Sequence, residues 1–325
     1  MPVRFIVSKY SFFVIPLIFT IVMLSSFRWE GLFLDTENYI AYLDNDNLID
    51  RFNVEYTFVI IAEFIKFFGF DHSLLFFVYA SFSLFVKYKL FSKFNDKKFI
   101  FFFYFFSFGI LQDFIQIRVG LAISLFLISV YYISNGNLLR FFAFFFLSAS
   151  FHYSLLITFP FVIFNHYILN RDKLVKLYLL ILPIVFLVFY IYAGSIISNA
   201  ISIFFPSLLS KFENYSDIED LSSVNLFSVK MLFIYFYVIL LGSRFFEVNN
   251  FYRLSLLLVI NGILLMFAFK DNLGLALRLS DPFFSLFVFL VSSVREDFKE
   301  TFLLRILFPA ILFGIFSYYN YMIII

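Results

Sequence analysis

The feature that most constrains this chain is the repetition of long apolar runs over nearly its whole length. Hydrophobic residues make up 63% of the 325 residues, and charged residues only 14%. A helix needs about 20 apolar residues to cross about 30 Å of hydrocarbon, and it pairs its backbone groups internally. A water-soluble core could not bury so much apolar surface. We therefore predict an all-α, polytopic membrane protein that forms a single membrane domain over residues 1–325.

Apolar runs between charge clusters predict about eleven transmembrane helices. They lie at residues 10–27, 73–90, 99–115, 119–134, 138–151, 153–169, 177–194, 228–241, 254–269, 282–294 and 303–322. Two of them, 138–151 and 282–294, are short for a straight crossing, which favours tilted or broken helices beside a cavity. Because no small-residue cleavage site follows the first run, we expect a retained span rather than a signal peptide.

The distribution of charge predicts the orientation in the membrane. With the N-terminus in the cytoplasm, most of the 24 basic residues face the cytoplasm and most of the 22 acidic residues face outside, in agreement with the positive-inside rule. The predicted cytoplasmic cations include Lys87, Lys89, Lys93, Lys97, Lys98 and Arg140. The absence of cysteine suits a bacterial membrane protein. We expect a multi-pass protein of the bacterial cytoplasmic membrane.

Two segments outside the membrane are longer than simple turns, namely residues 28–72 and 195–227. In the first, apolar residues recur at helical spacing between charged ones, which predicts a helix lying in the membrane interface. Its apolar positions are Phe58, Ile61, Ala62, Ile65 and Phe68, and its charged positions are Glu55, Glu63 and Lys66. Functional residues concentrate in such loops.

Three cationic or titratable residues stand at the outer ends of predicted spans. Arg118 stands at the outer end of the fourth span, where it either pairs with Asp113 at the interface or binds a phosphate through its planar guanidinium. His152 lies where two short apolar segments meet, as either a simple hydrogen-bonding residue or an acid-base group. Arg278 opens the tenth span on the same side, and alone it reads as an arginine at the membrane edge.

Acidic residues of the outer loop are candidates for contact with a polar substrate. Asp35 and Tyr39 are spaced as i and i+4, and Glu55 precedes Tyr56. These groups either bind sugar hydroxyls and remove a proton, or are simply solvated carboxylates on the outer side. The three histidines fall on both sides of the membrane without metal-ligand spacing. We predict no metal, no cofactor and no nucleic-acid partner.

An ordered set of segments resembles the EpsG/Wzy-type polymerases of bacterial surface polysaccharide. The matching segments are Asp35-x-x-x-Tyr39, EYTFVIIAEFIKFFG at 55–69, IRVGLAISLFLIS at 117–129, SASFHYSLLITFPF at 148–161, KFENY at 211–215 and ALRLSDPF at 276–283. The chain departs from the family pattern at Tyr56, where proline is common, and at Val119, where glutamine often follows the arginine. The resemblance covers most of residues 35–283.

The resemblance implies a membrane glycosyltransferase for undecaprenyl-pyrophosphate-linked oligosaccharides, usually without a metal, that acts on the periplasmic face. Donor and acceptor would both be lipid-linked repeat units, and a chain-length regulator is a possible protein partner. Position by position, Arg118, His152 and Arg278 would line the pyrophosphate site and carry catalysis. Asp35, Tyr39, Glu55 and Tyr215 would face sugar.

Three other functions fit the same charges. A ligase that transfers a finished O-antigen or capsule chain would use the same residues. A flippase or transporter of the same lipid-linked sugar would place its charges in a central cavity open to both faces. A scaffold subunit of a polysaccharide complex needs no site at all.

The orientation is tested by cysteine labelling in intact cells. Cysteines placed at residues 45 and 217 should react with a membrane-impermeant reagent, and one at residue 96 should not, because the charge distribution puts only the first two outside. The reverse labelling pattern would contradict the orientation and the choice of substrate side.

Overall fold

The structure is a computed structural model that describes residues 9–28, 34–44, 54–181, 228–242, 249–270 and 273–297, together with positions 184–185, 187–188, 191–192, 225–226, 311 and 314. Within these residues the chain is helical and has no strand, as the sequence predicts. The first helices are α1 (Lys9–Ser26), α2 (Leu34–Asp44), α3 (Tyr56–Phe67), α4 (Ser73–Phe91), α5 (Lys97–Tyr104), a π-helix (Phe105–Ile115), α6 (Ile117–Ser134) and α7 (Leu138–Phe151). A 3₁₀ turn (Tyr153–Ile157) leads to α8 (Thr158–Leu169), and the later helices are α9 (Val229–Gly242), α10 (Asn250–Ala268), α11 (Leu273–Phe284) and α12 (Phe287–Asp297).

Four helical stretches are long and apolar enough to cross a membrane: Ser73–Phe91, Lys97–Ile115, Ile117–Ser134 and Asn250–Ala268. The bent pair α11 and α12, with an angle of 41° between its helices, makes a fifth if it is one broken span. This bend lies within residues 282–294, a predicted span that is too short for a straight crossing. Four shorter apolar helices coincide with further predicted spans: Tyr10–Ser26, Leu138–Phe151, Tyr153–Leu169 and Val229–Ile239. A total of about eleven spans stays a prediction, since the run 303–322 lies almost wholly outside the described residues.

The chain forms two compact units. The first contains residues 1–132, 137–153 and 294–325, and the second contains residues 133–136 and 154–293. In the second unit, α10 is the most buried of the candidate spans. Its Gly262 faces α11 so closely that a Cβ atom there would lie 2.9 Å from Cβ of Phe283. At the N-terminal end of the same helix, Arg253 donates to the carbonyl oxygen of Leu169 (2.9 Å) and pairs with Asp172 (3.3 Å).

An aromatic core in the first unit joins α2, α3, α4 and α6. Phe58 of α3 packs against Tyr39 of α2 and Tyr79 of α4, with ring centroids 6.0 and 6.4 Å apart. Ile117 and Leu121 of α6 complete one side of this core. The apolar positions Phe58, Ala62 and Ile65 of the predicted interfacial helix are buried in it, whereas Phe68 is exposed. A helix at this position is thereby confirmed, and its location in the interface stays a prediction.

The first unit has chemically different ends. At one end, cations lie over aromatic rings: Lys93 over Tyr131 (5.2 Å), Lys97 over Tyr10 (5.5 Å), Lys98 over Phe13 (4.8 Å) and Arg140 over Tyr132 (5.3 Å). The other end of α4, about 28 Å away along 19 residues, carries the residues predicted to lie outside. The grouping of the predicted cytoplasmic cations agrees with the charge distribution.

Lys87 departs from that distribution. Charge sorting assigns it to the cytoplasmic cluster, but the structure buries it completely within α4. Its ammonium group pairs with Asp113 of the π-helix (2.6 Å) and donates to Ser83 (2.8 Å) and to the carbonyl oxygen of Gly120 (3.1 Å). A buried lysine needs such partners because an unpaired charge in an apolar interior is very costly.

Gly120 allows α6 to approach the π-helix. A Cβ atom at this position would lie 2.2 Å from the carbonyl oxygen of Gln112 and 2.8 Å from a carboxylate oxygen of Asp113. The missing side chain therefore leaves room for both the backbone contact and the ion pair.

Lys87 and Asp113 should stabilise the first unit as a pair. Lys87→Met and Asp113→Asn should each destabilise the purified protein by about 3–5 kcal/mol, because each leaves an uncompensated buried group. The double variant should recover most of that loss. Thermal unfolding in detergent measures the effect, with Lys89→Met, an exposed lysine of the same helix, as the matched control. Single variants as stable as this control would contradict a structural role for the pair.

Candidate active site

The site is built around the carboxylate of Glu55, which bridges two cationic or titratable residues. One oxygen accepts from Nη1 of Arg118 at 2.7 Å, and the other lies 3.2 Å from Nδ1 of His152. Glu55 is 63 residues from Arg118 and 97 from His152 in the chain. The fold therefore joins three separate segments at one point.

Local structure explains how Glu55 reaches this position. Glu55 is the residue before the first turn of α3, and its backbone is extended (φ −60°, ψ 136°). Its side chain is therefore directed away from the helix. Two further bonds fasten the same turn to the end of α7 and to the 3₁₀ turn that follows it: the Thr57 hydroxyl donates to the Ser150 carbonyl oxygen (2.6 Å), and the Tyr56 amide donates to the Tyr153 hydroxyl (3.3 Å). The start of α3 is thus held against the segment that carries His152.

Helices α6 and α7 place the two partners of Glu55. Arg118 lies in the first turn of α6, and His152 follows the last residue of α7 with an extended backbone (φ −156°, ψ 106°). The Ser148 hydroxyl donates to the Ala122 carbonyl oxygen at 2.7 Å, which ties the two helix ends together. The prediction that His152 lies at a break between two helical segments is confirmed.

Aromatic rings surround the guanidinium of Arg118. Its Cζ lies 5.1 Å from the ring centroids of both Tyr39 and Phe58 and 5.9 Å from that of Tyr42. These distances allow cation–π attraction. Burial raises the pKa of Tyr39, and the charge of Arg118 opposes this change. The tyrosine is therefore a neutral hydroxyl at physiological pH.

The two partners keep Glu55 ionised despite its burial. Burial alone would raise the pKa of this carboxyl, but the charge of Arg118 and the hydrogen bond from His152 outweigh it and lower the pKa to about 2. An ionised carboxylate only accepts hydrogen bonds, so neutral His152 carries its proton on Nδ1. The Nε2 lone pair of the imidazole is then available to accept a proton.

The structure brings together most of the residues predicted for the site. Arg118, His152, Glu55 and Tyr39 are in contact as described, and Asp35 lies on α2 close enough for its charge to act on Tyr39. Arg278 is an exposed residue of α11 in the second unit, so its grouping with Arg118 stays a prediction. Tyr215 lies outside the described residues.

Arg118 does not pair with Asp113, the partner that the first sequence-based alternative gave it. Asp113, proposed there as its interfacial partner, is fully buried and pairs with Lys87, whereas Glu55 pairs with Arg118. Glu55 was expected to face sugar, but both of its oxygens are engaged within the protein. Its geometry supports an orienting role, and sugar contact stays a prediction.

Tyr79 is a site residue that sequence reasoning missed. Its ring packs against Phe58 and Phe151, and its hydroxyl is buried without a hydrogen-bond partner among the described residues. The surrounding sequence is rich in aromatic residues and gives no signal that singles out this one. Among the same residues, no three histidine or acidic side chains form a group that could hold a metal ion.

The ionised state of Glu55 should appear as a dependence of stability on pH. Its pKa is depressed from 4.5 to about 2, so its contribution is present above pH 4.5 and is lost as the pH falls from 4.5 towards 2. At about 1.4 kcal/mol per pKa unit, that contribution is about 3 kcal/mol. Thermal unfolding between pH 7 and 3 should show a steeper acid decline in wild type than in Glu55→Gln. The exposed Glu63 of the same helix provides the control Glu63→Gln, and equal slopes in all three proteins would contradict the assignment.

Comparison with known proteins places the site in a family. The model of the EpsG family matches residues 11–324, which is nearly the whole chain. No match was found among curated proteins or among solved structures. The matched region includes all of the site residues described above, and it agrees with the resemblance drawn from the ordered sequence segments. The chain belongs to the EpsG family.

Proposed function

We propose that this chain is a glycosyltransferase that polymerises undecaprenyl-pyrophosphate-linked oligosaccharide repeat units into a surface polysaccharide. Family membership supports a polysaccharide polymerase-type role. The observation that carries the proposal is the Glu55 bridge between Arg118 and His152. This bridge puts a proton acceptor, His152, and a guanidinium, Arg118, within one small site. A glycosyl transfer with an anionic leaving group requires both, one for the acceptor proton and one for the negative charge.

In the proposed reaction, His152 is the general base. A hydroxyl oxygen of the acceptor sugar attacks the anomeric carbon of the donor, a new glycosidic C–O bond forms, and the bond to the pyrophosphate oxygen breaks. The hydroxyl proton moves to Nε2 of His152, while Glu55 orients the imidazole through Nδ1 and stabilises the imidazolium that forms. Direct displacement inverts the anomeric centre.

The leaving pyrophosphate is the second group that the site must stabilise. Negative charge grows on its bridging oxygen as the bond breaks, and a fixed guanidinium in a partly desolvated site lowers that barrier. Arg118 suits this role because one nitrogen is held by Glu55 and the side chain is still 19% exposed. We assign Arg278 a second contact to the same pyrophosphate, and Asp35, Tyr39 and Tyr215 the sugar.

The reaction would take place on the periplasmic face of the bacterial cytoplasmic membrane. The position of Glu55, Arg118 and His152 at one end of the first unit, away from its cationic end, supports this over a transporter with charges in a central cavity. We also propose a chain-length regulator as a protein partner.

Gene deletion distinguishes the proposed function from its rivals. Surface glycan from the deletion strain is separated by size on a gel, and its lipid-linked precursors are located by labelling from outside. Accumulation of single-repeat products is expected for a lost polymerase. Loss of all ligated glycan would indicate a ligase instead, and precursors confined to the inner face would indicate a flippase.

Variants of the site test the assigned roles. His152→Gln should lower turnover at saturating substrate by about 10²-fold or more, because Gln can donate a hydrogen bond but cannot accept the proton. The limb of the pH profile that belongs to the base should disappear with it. Arg118→Lys and Arg278→Lys keep the charge but lose the planar fork, and both should shorten the polysaccharide.

His166→Gln is the matched control, since this histidine lies in α8 and belongs to the second unit. All variants should insert into the membrane in normal amounts. Near-normal turnover and an unchanged pH profile in His152→Gln would move the base to Asp35 or Glu55. Polysaccharide of wild-type length in both arginine variants would remove phosphate binding as their role.

A further inference from the structure

Arg28, just after α1, has a guanidinium that the protein holds in a fixed orientation. Nη1 donates to the carbonyl oxygens of Phe114 and Ile115, the second at 3.3 Å. The Cζ atom lies 3.7 Å from the centroid of the Phe76 ring. Since the last carbonyl groups of a helix have no partner within it, this nitrogen caps the π-helix, and the ring fixes the plane of the guanidinium.

The opposite edge of the same guanidinium carries Nε and Nη2. Both atoms are buried without a hydrogen-bond partner among the residues that the structure describes, and the residue as a whole is only 6% exposed. The two N–H groups on this edge point in parallel, which is the geometry that binds two oxygens of one carboxylate or phosphate. Buried charged donors are seldom left unpaired, because their desolvation is then uncompensated.

This edge belongs to the same end of the first unit as the candidate active site. Phe76, on which Arg28 stacks, lies 6.1 Å from the ring of Tyr39, and Arg118 lies 5.1 Å from the same tyrosine ring. The charges of both arginines act on the Tyr39 hydroxyl. Two guanidinium groups therefore flank one tyrosine.

Further polar groups at this end also lack partners. The hydroxyls of Thr36 on α2 and Tyr79 on α4 are buried without hydrogen bonds among the described residues. A bound polar ligand would satisfy such unpaired donors.

Arg28 is a cation at physiological pH. Burial lowers its pKa to about 10, while Tyr39 and the carboxylate of Asp35 act in the opposite direction. Asp35 is thus a protein group that could compete for the free edge, although it makes no hydrogen bond to Nε or Nη2.

We propose that the Nε and Nη2 edge of Arg28 binds a phosphoryl oxyanion beside Arg118. The inference rests on the proposed function, within which this oxyanion belongs to the pyrophosphate of a polyprenyl-linked substrate. The phosphate of a membrane lipid headgroup has the same chemistry. Arg28 would hold the phosphate that Arg118 does not reach, and it would do so without competition from bulk water.

The test measures binding of farnesyl pyrophosphate to the full chain in a neutral detergent by calorimetry. Arg28→Gln and Arg28→Lys should each weaken binding about tenfold or more, since both remove the planar fork. Arg140→Lys, at the cationic end of the same unit, should bind as wild type does. Binding in Arg28→Lys that equals wild type would overturn the proposal.

A competition arm distinguishes the two sources of phosphate. If saturating phosphatidylglycerol abolishes the heat of farnesyl pyrophosphate binding, the edge binds a lipid headgroup. If phosphatidylglycerol leaves that heat unchanged, the edge is assigned to the substrate.

Two further measurements separate this inference from the proposed function and from misfolding. Weak binding in Arg118→Lys with normal binding in the Arg28 variants would overturn only the role of Arg28, whereas normal binding in both sets would also contradict pyrophosphate recognition. If the Arg28 variants do not fold, chemical modification of the wild-type protein decides. Farnesyl pyrophosphate should protect Arg28 from phenylglyoxal, as read by mass spectrometry of the modified peptide, and an equal rate of modification with and without the probe would refute the proposal.

Discussion

The Glu55 carboxylate is the interaction on which the candidate site depends. It is buried, and burial of an isolated carboxylate is so costly that the group would normally take up a proton. Arg118 and His152 remove that cost, one through its charge and the other through a hydrogen bond. In return, Glu55 fixes the imidazole tautomer and the position of the guanidinium. Glu55 therefore depends on both partners for its ionised state, and His152 depends on Glu55 for its tautomer.

A second buried charge pair shapes the scaffold beneath the site. Lys87 and Asp113 meet inside the first unit, with Ser83 and the Gly120 carbonyl oxygen completing the environment of the ammonium group. The contact requires the close approach of α6 to the π-helix, which the absent side chain at Gly120 permits. Since Arg118 lies in the first turn of α6, two residues before Gly120, the same approach helps to set where the guanidinium lies.

Aromatic residues act differently in the interior and on the surface of this chain. Phe58, Tyr39 and Tyr79 form a packed layer under Arg118, where ring faces attract the cation. Phe12, Phe64 and Phe82 are among the large apolar side chains that are exposed. In a membrane protein, such exposed rings suit contact with lipid. A composition with 58 phenylalanines therefore does not by itself indicate a sugar-stacking surface.

The sequence by itself determined the helical membrane class and the approximate positions of several spans, because the thickness of hydrocarbon sets the length of an apolar run that can cross it. It determined the family through an ordered set of segments along the chain. It also identified Arg118, His152, Glu55, Tyr39 and Asp35 as candidates. Only the tertiary structure decided which charges pair: Glu55, not Asp113, with Arg118, and Asp113 with Lys87. Residue types and spacing carry no information about partners 63 or 97 residues away, since those contacts depend on how the helices pack.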